Sequence, residues 1–567
     1  MLSVSGKNWE EEKINKRIVD KIKIENNLTD IIARHVVSNK FDFEEIYSIN
    51  NYLEITNPFS QNSDFLNAIE LLNQAINKKE NICIIGDYDV DGCVSTSLLI
   101  KLLKYLKGSY FYYIPNRFKD GYGSSTVLLK KLIHKKPKLV ILLDNGSSSN
   151  EAIDYLNRKK IKSIIIDHHE IYQPYPKSNV LINTKKNNSS AEFNYFCTGV
   201  LTYFFIDLFI KKKKYKINFS KYLYLVLLTV VSDVMPLRKT NRKIANTVLK
   251  NINLNDIYFF KKIFEIKKIK KKIDIEDFGF LFGPIINSAG RLGDPNIIVK
   301  LLTSDDVIFI DKTIENLINL NEKRKDIEKE ILKKIDLNQI RLENKSIIIL
   351  EKKNINEGLI GIIASRLKTY FNKPTIVITR SGNIYKGSAR STKSFTIGKY
   401  IKSALDNKLL ISGGGHNLAA GFTMKEKNIE KFKTYLYKKY NDDHKDFKFK
   451  FLSKISLSAL NKNFLSELKK VEPYGEENLN PYFLIENIKI FKTKIEKNKL
   501  LTFYAKNKSG KMVEVITFDL LNTDLIQNIL FNKREVNIIV QLKENIWNNK
   551  KRIQVIIIDI IEVSNKA

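Results

Sequence analysis

Three strand-like runs stop on acids or imidazoles, and this coincidence constrains the chain more than any other feature. Ile82 to Ile85 leads into Asp87, Asp89 and Asp91; Lys138 to Leu143 leads into Asp144; Ile164 to Ile166 leads into Asp167, His168 and His169. Short β-branched runs that alternate with amphipathic stretches such as Val94 to Leu106 predict a parallel sheet covered on both faces. Open α/β sheets gather their ligands at the carboxyl ends of strands, so the three run ends are expected to meet. One Asp after a strand is ordinarily a turn or cap residue. Three such ends in one region, with two of the six histidines adjacent at one of them, weaken that account. Ser95 and Thr96 read as caps at the start of the following helix rather than as catalysts.

The residue types set the chemistry. Hard carboxylates with imidazole suit Mn²⁺ or Mg²⁺, and so acidic a cluster is costly unless cations neutralise it. Two divalent ions about 3.5–4 Å apart can activate a water, bind both non-bridging oxygens of a phosphodiester and stabilise the leaving oxygen. The expected ligands are Asp87, Asp89, Asp91, Asp144 and His168, with Asp144 and one aspartate of the first motif as bridges. His169 is expected to contact the scissile phosphate or to orient a ligand. Asp89, Asp144 and His169 are therefore the expected catalytic residues.

At 567 residues the chain exceeds one hydrophobic core and is expected to form three to four domains, and 43% hydrophobic residues leave material for them. The formal charge of +34 suits a polyanionic partner. The joint overuse of Lys, Asn and Ile is also what AT-rich codons produce, so Lys211 to Lys214 and Lys267 to Lys272 are given no role. Cys83, Cys93 and Cys197 are too few and scattered for a disulfide framework. The start of the chain lacks a secretory pattern, and Tyr222 to Ser232 falls short of the ~18 residues of a spanning helix. A cytoplasmic protein without a membrane partner is expected.

Residues 1–62 read as a polar N-terminal wing rather than a core, with a small helical unit around Leu28 to Val37 and an N-cap at Thr29-Asp30. Residues 63–303 carry the acidic motifs. Residues 304–341 form one long charged connector helix, with Ile314, Leu317, Ile318, Ile327, Ile331 and Ile335 as its apolar stripe. Residues 342–442 are a smaller α/β domain with strand-like Ser346 to Leu350, helix-like Ile360 to Phe371 and strand-like Thr375 to Thr379. Residues 443–567 hold several short aromatic and β-branched strands that suggest a small barrel.

Gly86 to Gly92, Asp144-Asn145-Gly146 and Asp167-His168-His169 resemble motifs of the DHH phosphoesterase superfamily. Ile114 to Gly123 and Gly283 to Gly293 are similar to segments of its bacterial single-strand exonucleases. The resemblance extends over nearly the whole chain. It implies that Asp233, in Ser232 to Leu237, completes the metal set, and that two Mn²⁺ or Mg²⁺ ions serve hydrolysis of single-stranded DNA from its 5′ end to mononucleotides in DNA repair and recombination. It also implies a partnership with single-strand-binding protein. The second lobe resembles the DHH-associated (DHHA1) domain through Glu357 to Arg366 and Lys386 to Ser391. Ser388 and Arg390, two apart on an extended strand, face one side and can grip one phosphate. Arg117, Asn287, Arg291, Ser391, Gly414, Gly415 and His416 join the substrate-binding set on the strength of the motifs. The C-terminal barrel resembles an OB-fold, preceded by Glu472 to Asn478.

Departures from the family pattern are Ile285 where Arg is common, Thr184 where Pro is common, and Ile355-Asn356 where Trp and His or Asn precede Gly358. Two alternatives follow from the same residues: a phosphodiesterase of short oligonucleotides, and a non-catalytic single-strand binder. Retention of every aspartate disfavours the latter.

Overall fold

The computed structural model describes residues 1–117, 119–120, 123–186, 192–443, 447–496, 500–520, 522–532, 534–547 and 550–563. Phe118, Gly121 and Tyr122 of the Ile114 to Gly123 motif lie outside the described residues.

The acidic motifs belong to a five-stranded, fully parallel sheet in the spatial order Tyr110–Tyr113, Ile82–Ile85, Leu139–Leu143, Lys162–Ile166, Val180–Ile182. The runs are continuously apolar because both faces are covered. Ile82, Ile84, Ile141 and Ile164 pack into one core, while Cys83, Val140, Leu142 and Ile165 pack into another. Burying each large aliphatic side chain contributes ~1.5–3 kcal/mol. The winding reverses between Ile82–Ile85 and Leu139–Leu143, so the topological switch point adjoins the first acidic loop. Register levels the strand ends: Ile85 pairs with Leu142, Leu143 with Ile166, and Ile166 with Ile182. The Asp144 and Asp167 amides extend the ladder, donating to the Ile166 and Ile182 carbonyls at 3.0 Å each.

The connector expected as one helix is two, Val307–Lys333 and Leu337–Glu343. Asp336 interrupts it by capping the second helix, accepting from the Gln339 amide at 2.9 Å. Ile335, counted in the connector stripe, turns into a core with Ile360, Ile363 and Leu367 of the second lobe. That lobe is a five-stranded sheet ordered Ser412–His416, Ala419–Met424, Ile384–Arg390, Thr375–Ser381, Ile348–Glu351, with only the last pair parallel.

The C-terminal strands close into a barrel. Phe483–Glu496, Leu500–Lys506, Met512–Thr517, Lys550–Glu562 and Val536–Trp547 follow one another, and the last pairs back on the first through Phe483 and Val540. Closure removes the open sheet edges. The N-terminal segment differs from the expected wing. Leu28, Ile32, Val36 and Phe41 share one core with barrel residues such as Phe483, Ile485 and Val540. Trp9–Glu11 pairs in parallel with Phe449–Phe451, and Ser3 Oγ and Trp9 Nε1 donate to buried Asp559 at 2.7 and 3.0 Å. Its helices are too short for a core of their own and bury their apolar stripes against the barrel. Thr29 is the cap residue of Asp30–Ser38, but its hydroxyl donates to Glu467 at 3.1 Å instead of capping the helix. Among the described residues no helix is long and apolar enough to cross a membrane.

Candidate metal centre

The three strand ends converge. Asp87, Asp89 and Asp144 form one trio, Asp91, His168 and Asp233 a second, and Asp144, His168 and His169 a third, each with its ligand atoms within 4.8 Å of one another. His168 Nε2 lies 3.4 Å from Asp144, 3.3 Å from Asp233 and 3.8 Å from Asp91. Asp144 holds a left-handed backbone, φ 64°, which an aspartate tolerates better than a bulky residue.

Each carboxylate is held by its surroundings. Asp89 caps the helix Val90–Tyr105, accepting from the Gly92 amide at 3.1 Å. The caps expected at Ser95 and Thr96 are thereby corrected. Both sit inside that helix, buried, with hydroxyls that lack a hydrogen-bond partner. Asp91 accepts from the Thr198 and Gly199 amides at 2.8 Å each, at the start of the helix Thr198–Lys212. Thr198 also donates its hydroxyl to Asp144 at 3.1 Å. Sequence reasoning missed Thr198 and Gly199, which carry no ligand-type side chain; the feature that marks them is a helix start rich in small residues. Asp167, at the third strand end, accepts from the amides of Ser147, His168 and His169 and from His169 Nδ1 at 2.8 Å, which makes it the orienting group of the pair.

Electrostatics follow from burial. Burial, then the charge of Asp89, pushes Asp87 up to about 8 and Asp91 up to about 6. Burial and the surrounding carboxylates, Asp91 foremost, drive Asp144 and Asp233 well above the usual range. Burial opposes ionisation of Asp167, yet the charge and hydrogen bond of His169 hold it well below the carboxylate norm. Burial likewise opposes protonation of His169, but Asp167 raises it to about 9. His168 is lowered by burial and by the charge of His169, so its ring stays neutral, the form that ligates metals. A divalent ion fits this donor set. Asp87 Oδ1 is buried without a partner, and neighbouring carboxylates resist ionisation for want of positive charge.

A basic pocket adjoins the acids. Arg117 lies over the Tyr88 ring at 5.0 Å, Arg291 donates to the Gly358 carbonyl at 3.1 Å, and Arg390 donates to Ser388 Oγ at 3.2 Å and to the Ala389 carbonyl at 2.8 Å. Burial, then Arg117, Arg324 and Arg390, pushes Arg291 down to about 10. Burial and Arg117 lower Arg390. Arginines gathered this closely offer an anion a favourable field. Gly290 lets the helix Gly283–Leu292 approach the first acidic loop, since a Cβ there would lie 2.4 Å from the Tyr88 carbonyl oxygen.

The remaining residues divide. His416 faces the centre, its ring 5.8 Å from that of His169 and 6.4 Å from that of His168, with Glu170 3.7 Å away. Gly414 and Gly415 lie beside it on the edge strand Ser412–His416, where a Cβ on Gly414 would meet open space. Asn287 Oδ1 accepts from the Val90 amide at 3.2 Å, and Ser391 Oγ donates to the Phe395 carbonyl at 2.5 Å, so both polar groups are engaged within the protein. Ile285 is fully buried in the apolar core, Thr184 is buried, and Asn356 accepts from the Gly358 amide at 2.8 Å.

The sequence matches the models of the DHH family, N-terminal domain, over residues 81–230, of the DHHA1 domain over residues 344–442, and of the RecJ OB domain over residues 453–559. The chain is 25% identical over 563 residues to the single-stranded-DNA-specific exonuclease RecJ of Bacillus subtilis, covering 97% of this chain and 70% of that protein. It is 28% identical over 534 residues to the protein of that name from Salmonella typhimurium, covering 89% and 91%. The crystal structure of RecJ in complex with Mn²⁺ from Thermus thermophilus has the same fold, with TM-score 0.83 and 22% identity over 98% of this chain and 80% of that one. With all three domains matched in order along one chain, the protein belongs to the DHH family, in its RecJ branch.

Proposed function

We propose that the chain is a divalent-metal-dependent exonuclease of single-stranded DNA that works 5′ to 3′ and releases 5′-mononucleotides in DNA repair and recombination. The observation that carries it is the juxtaposition of the carboxylate and histidine centre with the Arg117, Arg291 and Arg390 pocket. Acids that hold cations and arginines that hold phosphate then flank a single phosphodiester. Two trios that share no residue, Asp87–Asp89–Asp144 and Asp91–His168–Asp233, support binding of two ions. The relatives named above are single-stranded-DNA-specific exonucleases, and the neighbouring structures contain Mn²⁺ or Mg²⁺.

Bound Mn²⁺ or Mg²⁺ would supply an activated water and offset the negative charge of the phosphate. The remaining work falls to side chains. Asp167, bonded to His169 Nδ1, fixes the ring so that it would face the substrate phosphate. Asp91, locked by two helix-start amides, and Asp144, locked by Thr198, keep their geometry without reorganisation. Ser388 and Arg390, side by side on one face of Ile384–Arg390, would grip that phosphate together. His416 and the flanking glycines bring the second lobe over the centre.

Comparing 5′-blocked with 3′-blocked single strands in Mn²⁺ tests strandedness and polarity together. Degradation stopped only by the 5′ block is expected. Equal degradation of both, or cleavage restricted to di- and trinucleotides, overturns the proposal.

A further inference from the structure

The turn that carries Asp233 is strained, and what holds it lies outside the metal centre. Asp233 ends the helix Leu223–Ser232, and Val234 follows with φ 54° and its side chain exposed. The Met235 amide closes the turn by donating to the Val230 carbonyl at 2.9 Å. Glycine or asparagine normally fills the left-handed position of such a turn, and a β-branched residue there is a steric outlier. Strain of this kind persists only where the surroundings over-determine the backbone.

The surroundings are unusually complete just beyond the turn. The Leu237 amide donates to the Glu476 carbonyl at 2.9 Å, and a Cβ on Gly475 would strike the Leu237 side chain at 2.5 Å. Arg238 places both arms on Glu45, at 2.6 and 2.5 Å, and donates to the Asn39 and Lys40 carbonyls at 2.8 and 3.0 Å. The Lys239 amide donates to the same Glu45 carboxylate at 2.8 Å. Asn241 Nδ2 donates to the Pro236 carbonyl at 3.0 Å and to the Tyr195 carbonyl at 2.7 Å, three residues before Thr198, the donor to Asp144. Glu45 is itself buried and fixed by a capping box with Asp42. Its carboxylate thus gathers three donors from Arg238 and Lys239 and pins the far side of the turn.

We propose that Glu45, from the N-terminal segment, is a positioning residue of the metal centre: it clamps Arg238 and Lys239 so that the strained turn presents Asp233 to His168. The inference rests on the metal-centre reading. It gives the N-terminal segment a part in catalysis although none of its residues reaches the carboxylates. Because the clamp works against strain at Val234, glycine at that position should make the clamp partly dispensable.

The test is calorimetric titration of the metal-free full chain with Mn²⁺, beside kcat and KM on single-stranded DNA. Glu45→Ala is expected to weaken Mn²⁺ binding by about tenfold or more, the size of effect typical of groups that orient metal ligands, and to lower kcat at fixed Mn²⁺ with KM unchanged. Glu45→Gln, which keeps the shape and an acceptor oxygen, should lose less and carries the test if the alanine variant does not fold. Val234→Gly alone should bind as wild type, and Glu45→Ala/Val234→Gly should recover most of the lost affinity. A folded Glu45 variant with wild-type Mn²⁺ affinity, or a double variant no better than Glu45→Ala, overturns the proposal. A wild-type chain that binds no Mn²⁺ overturns the metal-centre reading and this proposal with it.

Discussion

Acid should loosen the seam between the N-terminal segment and the barrel through one histidine. His35 is buried where Asp30–Ser38 meets the Glu472 to Asn478 turn, with Nε2 2.8 Å from Asn478 Oδ1 and its ring between those of Phe41 and Tyr474. Burial, then the charges of Arg242 and Arg238, lowers it to about 4 against the opposing hydrogen bond of Asn478. An unfolded histidine takes up its proton near 6.5, so between about 6.5 and 4 the unfolded chain binds a proton that the folded chain refuses. Stability from this group is therefore complete above the unfolded value and is lost as pH falls. The two proton-binding curves differ by about 2 kcal/mol between pH 7 and pH 5 and by about 3 kcal/mol at pH 4. Urea melts followed by tryptophan fluorescence suit the measurement, because Trp9 packs with Phe451 and Ile539 and the second tryptophan, Trp547, ends a barrel strand. His35→Gln keeps a donor for Asn478 and cannot titrate. Its loss of stability from pH 7 to pH 5 should be smaller than that of the wild type by about 2 kcal/mol. If the two proteins lose stability in parallel over that interval, the reasoning fails.

Other expectations concern the site. Asp89→Ala should abolish hydrolysis of 5′-labelled single strands in Mn²⁺ while leaving strand binding in gel shifts nearly intact; wild-type turnover would remove Asp89 from the centre. Arg390→Lys should weaken single-strand binding by about tenfold, since an ammonium cannot reproduce a guanidinium fork, and Arg390→Ala should flatten the slope of log affinity against log salt by ~0.7 for one lost phosphate contact. An unchanged slope would mean that Arg390 meets no phosphate. Gly290→Ala sets a Cβ against the Tyr88 carbonyl oxygen, which the backbone must move to admit, so a loss of about 1–3 kcal/mol in urea together with weakened Mn²⁺ binding is expected. Wild-type metal affinity would show that the loop tolerates the shift.

The strands and their terminal acids were readable because a fully buried parallel strand writes its identity locally as a continuous apolar run. The helix over Ile360–Phe371 was readable for a similar reason, its apolar residues recurring at helical spacing. Asp233 needed kinship, because it follows a helix rather than a strand and so escapes the rule that ligands lie at strand ends. The seat of the N-terminal segment escaped as well. Trp9 and Ser3 find Asp559 at the opposite end of the chain, and no local pattern encodes a partner at that separation. Asn287 and Ser391 looked like substrate contacts in their motifs; Asn287 Oδ1 holds the first amide of Val90–Tyr105, and Ser391 Oγ donates to the Phe395 carbonyl. Sequence reveals that a polar residue sits in a functional segment but not which side of the backbone it serves. The long connector failed on a single cap: Asp336 reads as one more charged residue on a charged helix until its side chain is seen accepting from Gln339.

The charge of the chain also takes on a more specific meaning. A formal +34 suggests a uniformly basic protein, but the centre is a cluster of acids, with Asp87, Asp91, Asp144 and Asp233 all resisting ionisation. A bare centre of this kind repels a phosphodiester. The adjoining pocket, where the charge of Arg117 lowers the proton affinity of both Arg291 and Arg390, attracts one. Like charges crowd each group, the carboxylates around Asp144 and the arginines around Arg291. Divalent ions on one side and a DNA phosphate on the other relieve both at once, so each should strengthen binding of the other, and by linkage the effect must be reciprocal. Mn²⁺ affinity should therefore rise when single-stranded DNA is present, and DNA affinity should rise when Mn²⁺ is present, by the same factor. Arg390→Ala should shrink that factor, because it removes one of the charges that makes the phosphate side need its anion.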